Sequence, residues 1–277
     1  MAKLSQASNF TLRAVKPNAG LRDEYRRRLY SLIKAMHEDV LKELTECYED
    51  NAPLIAMDSK RKTPAEKLRE AMERSRNRWR KKFDKDAEDT ASWFSRKARS
   101  NTKRQRSAAF SAAGLPKAFT IGFDRGRVTK DVFDAITADN VSLIKSIASR
   151  YLDEVEGLVM RSVTTGRDVK SLASELQQRY NVTRRRADLI ARDQNNKATE
   201  SLVRAQDAES GITHGVWIHI PGKYTSRETH RSMDGKKFAL DKGLYDSNEG
   251  KYVLPGECVG CQCTYRPILP RDIWKKK

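Results

Sequence analysis

Leu21, Tyr25, Leu29, Leu32, Ile33, Met36, Val40, Leu44 and Tyr48 return at steps of three and four residues. That spacing draws one apolar stripe along a helix from about Leu21 to Glu49, and a stripe of this length must be covered by a partner. The partner announces itself at Thr63-Pro64-Ala65-Glu66. Thr can cap the free amides, Pro suits the first helical position, and Glu can reach back to close a capping box. From there Leu68, Met72, Trp79, Phe83 and Phe94 keep rough helical phase through a highly charged segment.

That second segment is the densest positive feature of the chain. Between Lys60 and Arg106 there are 18 Lys or Arg against 7 Asp or Glu. Arg74, Arg76, Arg78, Arg80, Lys81 and Lys82 surround Trp79, with Arg104 and Arg106 further on. Cations on all sides of a helix cannot all face a core. Three uses fit them: phosphate contact without sequence readout, a solvated helix with internal pairs such as Glu70 to Arg74, or docking on an acidic partner surface. The whole chain carries a net charge of +18, which calls for a polyanionic neighbour, with nucleic acid the leading candidate and a merely soluble basic protein the bland alternative.

Composition sets further bounds. With 277 residues, 38% apolar and 33% charged, the chain has room for two regions built from extended helices around modest cores. No stretch approaches the roughly 18 apolar residues of a membrane span, and Met1 to Gly20 lacks the apolar centre of a secretory signal. The expectation is a soluble protein, intracellular at synthesis, with no membrane partner. Four cysteines are too few for a disulfide scaffold. Cys47 reads as a small buried apolar residue on the first helix, whereas Cys258, Cys261 and Cys263 cluster.

The helical pattern loosens near Ser107 to Gly126, where Gly114-Leu115-Pro116 ends a helix, and Ala118 to Phe123 follows. A boundary is expected at about residue 125. Beyond it the pattern predicts helices near Lys130 to Thr137, Asn140 to Val163, Val169 to Tyr180 and Thr183 to Ser210, with Gly166 and Gly211 as C-terminal stops. Ala187, Ile190, Ala191, Ala198, Leu202 and Ala205 are small enough for close helix packing. After Gly211, Val216, Trp217, Ile218 and Ile220 form a β-branched and aromatic run between His214 and Pro221-Gly222. Short apolar pieces and turn residues follow, as in a small sheet with irregular loops.

The predicted fold is therefore mainly α with a small α+β C-terminal lobe. Long basic helices fill residues 1–125, a helical middle domain 126–210, and short strands with a Cys/His cluster 211–270.

The motifs of the second half occur in a telling order. Asn140 to Ile147 form one helix; Gly166-Arg167-Asp168 turns into a Leu172 to Tyr180 helix; Arg185 to Gln194 follows. Then come Gly211 with Trp217, Arg227 with His230, Met233-Asp234-Gly235, Pro255-Gly256-Glu257, and the Cys261, Cys263 pair. No piece is specific alone, but their joint order from about Val128 to Pro270 resembles the phage Mu protein F-like family of minor head (head morphogenesis) proteins. The chain departs from that family's pattern at Gly260, where a polar residue is usual, and in the extra thiol of Cys258.

The resemblance implies a minor capsid protein acting in procapsid assembly, associated with the portal and other capsid proteins. It also implies a place in the virion head interior against packaged double-stranded DNA, contacted non-specifically, reached from the host cytoplasm, and no catalysis.

His230, Cys258, Cys261 and Cys263 make a possible zinc set, since thiolates and neutral imidazole are zinc ligands. Buried unmetallated residues or a late disulfide are the other readings. An enzymatic alternative is a metal-dependent nuclease using His230, Asp234 and the thiols. Against it, no phosphate loop and no second acidic pair near Asp234 is legible. Arg227, Asp234 and Gly235 read better as a turn, with Gly in a left-handed position. Arg192 and Asp193, on the long helix, could face this cluster but read more simply as an ordinary surface ion pair, His214 and His219 as packing residues, and Trp217 as core.

Overall fold

A computed structural model describes residues 10–49, 63–115, 126–165, 169–222 and 227–270. Four long helices, α1 (Ala19–Glu49), α2 (Pro64–Ala112), α3 (Arg127–Thr165) and α4 (Val169–Glu209), precede a short helix, α5 (Glu228–Ser232). The strands are β1 (His214–Ile218), β2 (Lys237–Ala239), β3 (Leu244–Asp246), β4 (Lys251–Val253) and β5 (Thr264–Ile268). The fold is the expected one, mainly helical with a small strand-bearing lobe at the end. No helix among the described residues is long and apolar enough to cross a membrane.

The capping box forms as its residues dictate. Thr63 N–H donates to Glu66 Oε2 at 2.7 Å, and Glu66 N–H donates to Thr63 Oγ1 at 3.2 Å. Two expected helix breaks do not occur: α3 runs on through Ala138-Asp139, and α4 through Asn181-Val182. Neither junction holds a Gly or Pro, so nothing opposes continued backbone pairing, and Thr183 Oγ1 merely bonds back to the Arg179 carbonyl at 2.9 Å. Gly211 ends α4 at φ 77°, as expected. The Gly166 stop, residues 118–123, Thr225, Ser226, the Tyr48 side chain and the final lysines lie outside the described residues.

Two compact units divide the chain, and neither ends at residue 125. One, here the mixed unit, takes Met1–Arg22, Phe94–Thr137 and Arg192–Lys277; the other, the helical unit, takes Asp23–Trp93 and Ala138–Ala191. The expected division at 125 followed the Gly-Pro break in sequence. Helices of some forty residues outrun a single core, so one helix can contribute its two ends to different units.

In the helical unit, Leu29, Ile33 and Val40 of α1 are buried together with Phe83 of α2 and Ile147 and Val155 of α3. The predicted stripe is thus the core, apart from Leu32, which is half-buried. Polar groups inside are paired: Tyr25 donates its hydroxyl to Asn140 Oδ1 at 2.9 Å, and His37 Nδ1 lies 2.8 Å from the Tyr151 hydroxyl. The His37 ring also stacks on Tyr180 with centroids 4.5 Å apart. Burial holds the His37 pKa below its usual value and the Tyr151 hydroxyl above its own.

In the mixed unit, β1 is the centre of a three-stranded antiparallel sheet ordered β2-β1-β5, while β3 and β4 form a separate hairpin. Residues 10–12 join this sheet. Leu12 N–H donates to the Pro267 carbonyl at 2.9 Å, Leu269 N–H donates to Phe10 at 3.0 Å, and Leu12 and Val15 are buried beside Trp217 and Tyr265. Pairing the first described residues with β5 is a non-local contact that no local pattern encodes. Gly126 precedes α3 where a side chain would collide with Glu209, and that carboxylate caps the helix by accepting from Thr129 N–H at 2.9 Å and Thr129 Oγ1 at 2.7 Å.

Candidate metal centre

The clustered residues of the C-terminal lobe meet around one imidazole. His230, buried on α5, places Nδ1 3.3 Å from Cys261 Sγ and 3.7 Å from Cys263 Sγ, and Nε2 3.0 Å from Asp246 Oδ2. Its ring packs edge-on against Trp217 at 5.5 Å. The thiols of Cys258, Cys261 and Cys263 are free and buried. The metal-ligating atoms of His230, Cys261 and Cys263 lie within 4.8 Å of one another, and so do those of His230, Asp246 and Cys258.

Of the four expected ligands, three therefore share one face of the imidazole environment, and Cys258 groups with Asp246 instead. Two participants were missed. Asp246, which nothing in the sequence singled out, is fully buried at the end of β3 and held by Asn248 N–H at 2.9 Å. His219, expected to pack, sets Nδ1 3.5 Å from Cys263 Sγ. A histidine just past a strand and an Asp at the end of another give no local sign of convergence.

The loop carrying the thiols is fastened to one face of α4. Asp193 Oδ1 accepts from Gly260 N–H at 2.7 Å, Asn196 Nδ2 donates to the Cys261 carbonyl at 3.2 Å, and Arg204 donates to the Pro255 carbonyl at 2.9 Å. Asp193 is buried and also bonded to Lys197 at 2.8 Å, so it is no ordinary surface group. The spacing 193, 196, 200, 204 and 207 is helical, and this polar stripe was the legible signal: five hydrogen-bonding side chains on one face of a helix otherwise rich in Ala. Arg227 adds a tie from its guanidinium to the Val259 carbonyl at 3.2 Å.

The Asp-Gly turn forms as expected. Gly235 has φ 75°, its N–H donates to the Trp217 carbonyl at 3.0 Å, and Asp234 Oδ1 accepts from His219 N–H at 2.8 Å. Asp234 is thus a turn residue and belongs to neither metal-ligating group, which removes a named member of the nuclease alternative.

Cys261, His230 and Asp246 do line up as thiol, base and orienting carboxylate, but the electrostatics oppose a nucleophile. Cys261 is 4% exposed. Its hydrogen bond with Cys263, together with burial, pushes its pKa up to about 12, while the same bond lowers that of Cys263. A protonated sulfur without solvent access is a poor attacking group. Burial works against protonation of His230, yet the Cys261 sulfur and Asp246 outweigh it and hold the imidazole pKa above its ordinary value.

The basic residues are placed differently from the expectation. Arg106 is fully buried, paired with Asp207 at 2.9 Å, so it cannot touch a phosphate backbone. Its charge is spent inside, where Tyr265 also donates to Asp207 at 2.7 Å. Arg74 and Arg78 pair with Glu43 and Asp39 of α1, and Arg76 with Asp153 and Glu156 of α3. Lys82 pairs with Asp86, and Arg104 donates to Asn101. Arg80 and Lys81 are exposed and make no ion pair among the described residues. Trp217 is core, Cys47 is half-buried rather than buried, and His214 is half-buried on β1.

Residues 153–266, the end of α3, all of α4 and nearly all of the lobe, match the family model described as phage Mu protein F like protein. An uncharacterized protein of Haemophilus influenzae is 34% identical over 139 residues, which are 50% of this chain and 30% of that protein. The chain thus covers less than a third of that relative's length. No solved structure matches. The resemblance read from motif order is borne out over residues 153–266, which are similar to phage Mu protein F like proteins.

Proposed function

We propose that this chain is a head morphogenesis protein of a tailed phage or prophage. It is a minor component built in during procapsid assembly, associated with the portal and lying in the head interior against packaged DNA. The observation that carries this reading is the family match over residues 153–266. Supporting it, the motif residues inside that stretch serve construction: Arg227, Asp234 and Glu257 hold loops, and His230, Cys261 and Cys263 sit 2%, 4% and 2% exposed. A buried constellation suits a scaffold better than turnover.

The test is genetic and physical together. Coexpressed with the capsid and portal proteins of its phage, the polypeptide should co-sediment with procapsids, and deleting its coding region should lower infectious yield. Particles that lack it while yield stays unchanged would overturn the reading.

DNA contact falls to the exposed cations. Arg80 and Lys81, unpaired among the described residues, are the best remaining candidates of the original set. Because each phosphate neutralised releases counterions, the double variant Arg80→Ala, Lys81→Ala should reduce the slope of log affinity against log salt by about 2. An unchanged slope would send the search to a partner protein's acidic face.

A further inference from the structure

We propose that the C-terminal lobe holds a zinc ion between Cys261 Sγ, Cys263 Sγ and His230 Nδ1, with His219 Nδ1 as fourth ligand and Cys258 outside the set. Tetrahedral zinc with Zn–S of about 2.3 Å and Zn–N of about 2.0 Å separates a bound sulfur from a bound nitrogen by about 3.5 Å. The three sulfur to nitrogen distances here are 3.3 Å for Cys261 to His230, 3.7 Å for Cys263 to His230, and 3.5 Å for Cys263 to His219. The ligand atoms of His230, Cys261 and Cys263 already lie within 4.8 Å of one another, whereas His219 Nδ1 is near Cys263 alone and must turn further inward to complete the polyhedron.

The surrounding bonds select the correct nitrogen. Asp246 Oδ2, 3.0 Å from His230 Nε2, favours the tautomer with the proton on that atom, leaving the Nδ1 lone pair toward the two sulfurs. A carboxylate behind a ligating imidazole is the usual second layer of a zinc site. Asp246 is itself fixed by Asn248 N–H, and the thiol loop by Asp193 and Asn196. The rival group of His230, Asp246 and Cys258 offers one thiolate instead of two and would consume that orienting carboxylate.

Such an ion would tie the end of β1, helix α5 and the loop before β5 into one crosslink. β1 and α5 are five residues long each, which is little material for a sheet to stand on without help. Zinc bonds formed only in the folded state stabilise it directly.

The test uses the untagged full-length chain. Expected are one zinc per chain and, after cobalt exchange, a thiolate-to-metal charge-transfer band. Cys258→Ser should leave both unchanged, Cys261→Ser or Cys263→Ser should abolish stoichiometric zinc, and His219→Ala should weaken retention against a chelator 10- to 100-fold, as should Asp246→Asn. Should the Cys261 and Cys263 variants fail to fold, the wild-type protein and Cys258→Ser still decide. Metal-free wild type with freely alkylated thiols, a Cys261–Cys263 disulfide found by mass, or a cobalt band that drops by a third in Cys258→Ser would each overturn the site.

Discussion

The two units solve the same problem with different materials. The helical unit buries a continuous apolar stripe, and its ion pairs, such as Arg78 with Asp39 and Glu43, sit at the surface. The mixed unit has shorter apolar runs and places charge inside: Arg106, Asp207 and Glu200 are all nearly or wholly inaccessible. Removing one partner of a buried pair leaves the other uncompensated, whereas a surface pair loses little. Charge deletion should therefore damage the two units very unequally.

The largest effect is expected at Arg106. Arg106→Met keeps much of the side-chain volume but strands Asp207, and should cost about 3 to 5 kcal/mol in urea unfolding. Restoring neutrality with Asp207→Asn in the same chain should recover part of that loss. If the single variant unfolds like the wild type, the buried pair is not what organises this unit.

In the helical unit the comparable injury needs an apolar deletion. Ile33→Ala empties part of a fully buried stripe and should cost about 2 to 5 kcal/mol. A near-neutral result, read by the same denaturation, would mean that the stripe is loosely packed and that the contrast between the units is overstated.

This contrast also explains what was legible beforehand. The α1 stripe, the Thr63 capping box, the Gly211 stop and the Asp234-Gly235 turn were readable because each is encoded within a few neighbouring residues. Continuous helices through 138–139 and 181–182 were misread because a fading apolar period was taken for a break, although no Gly or Pro stood there. Arg106 was taken for a phosphate ligand because sequence shows charge and not its partner, and Asp207 lies a hundred residues away. For the same reason the Cys/His cluster was found but its membership was not: Asp246 and His219 enter through strand pairing and the loop's fastening to α4. Long-range pairing also defeated the expected boundary at residue 125.

A smaller and pH-dependent effect separates Glu200 from the surface carboxylates. Burial raises its pKa from 4.5 to about 8, with Thr264, Arg204 and Arg106 opposing and Cys261 assisting. In the window between, the folded protein holds a proton that the unfolded chain has lost, so stability falls as pH rises. The slope is at most about 1.4 kcal/mol per pH unit. Glu200→Gln mimics the protonated form, and should match the wild type near pH 5 and exceed it above about pH 8. Parallel urea midpoints for the two proteins across that range would show that Glu200 is ionised throughout.

The smallest effect is expected where the helical unit displays its charge. Arg78 reaches Asp39 and Glu43 at 2.6 Å, but its side chain is 46% exposed. Water and salt therefore screen the attraction, and each carboxylate keeps another donor, Trp79 Nε1 on Asp39 and Ser75 Oγ and Arg74 on Glu43. Arg78→Ala should cost about 0.2 to 1 kcal/mol, less in high salt. The residual effect should be lost on acidification, because these donors, outweighing burial, hold the Glu43 pKa below its usual 4.5, and such stability is present above that value and disappears as the carboxylate protonates. A loss as large as that of Arg106→Met, insensitive to salt, would mean that this pair is shielded from water in the working protein, as it would be if a partner covered that face.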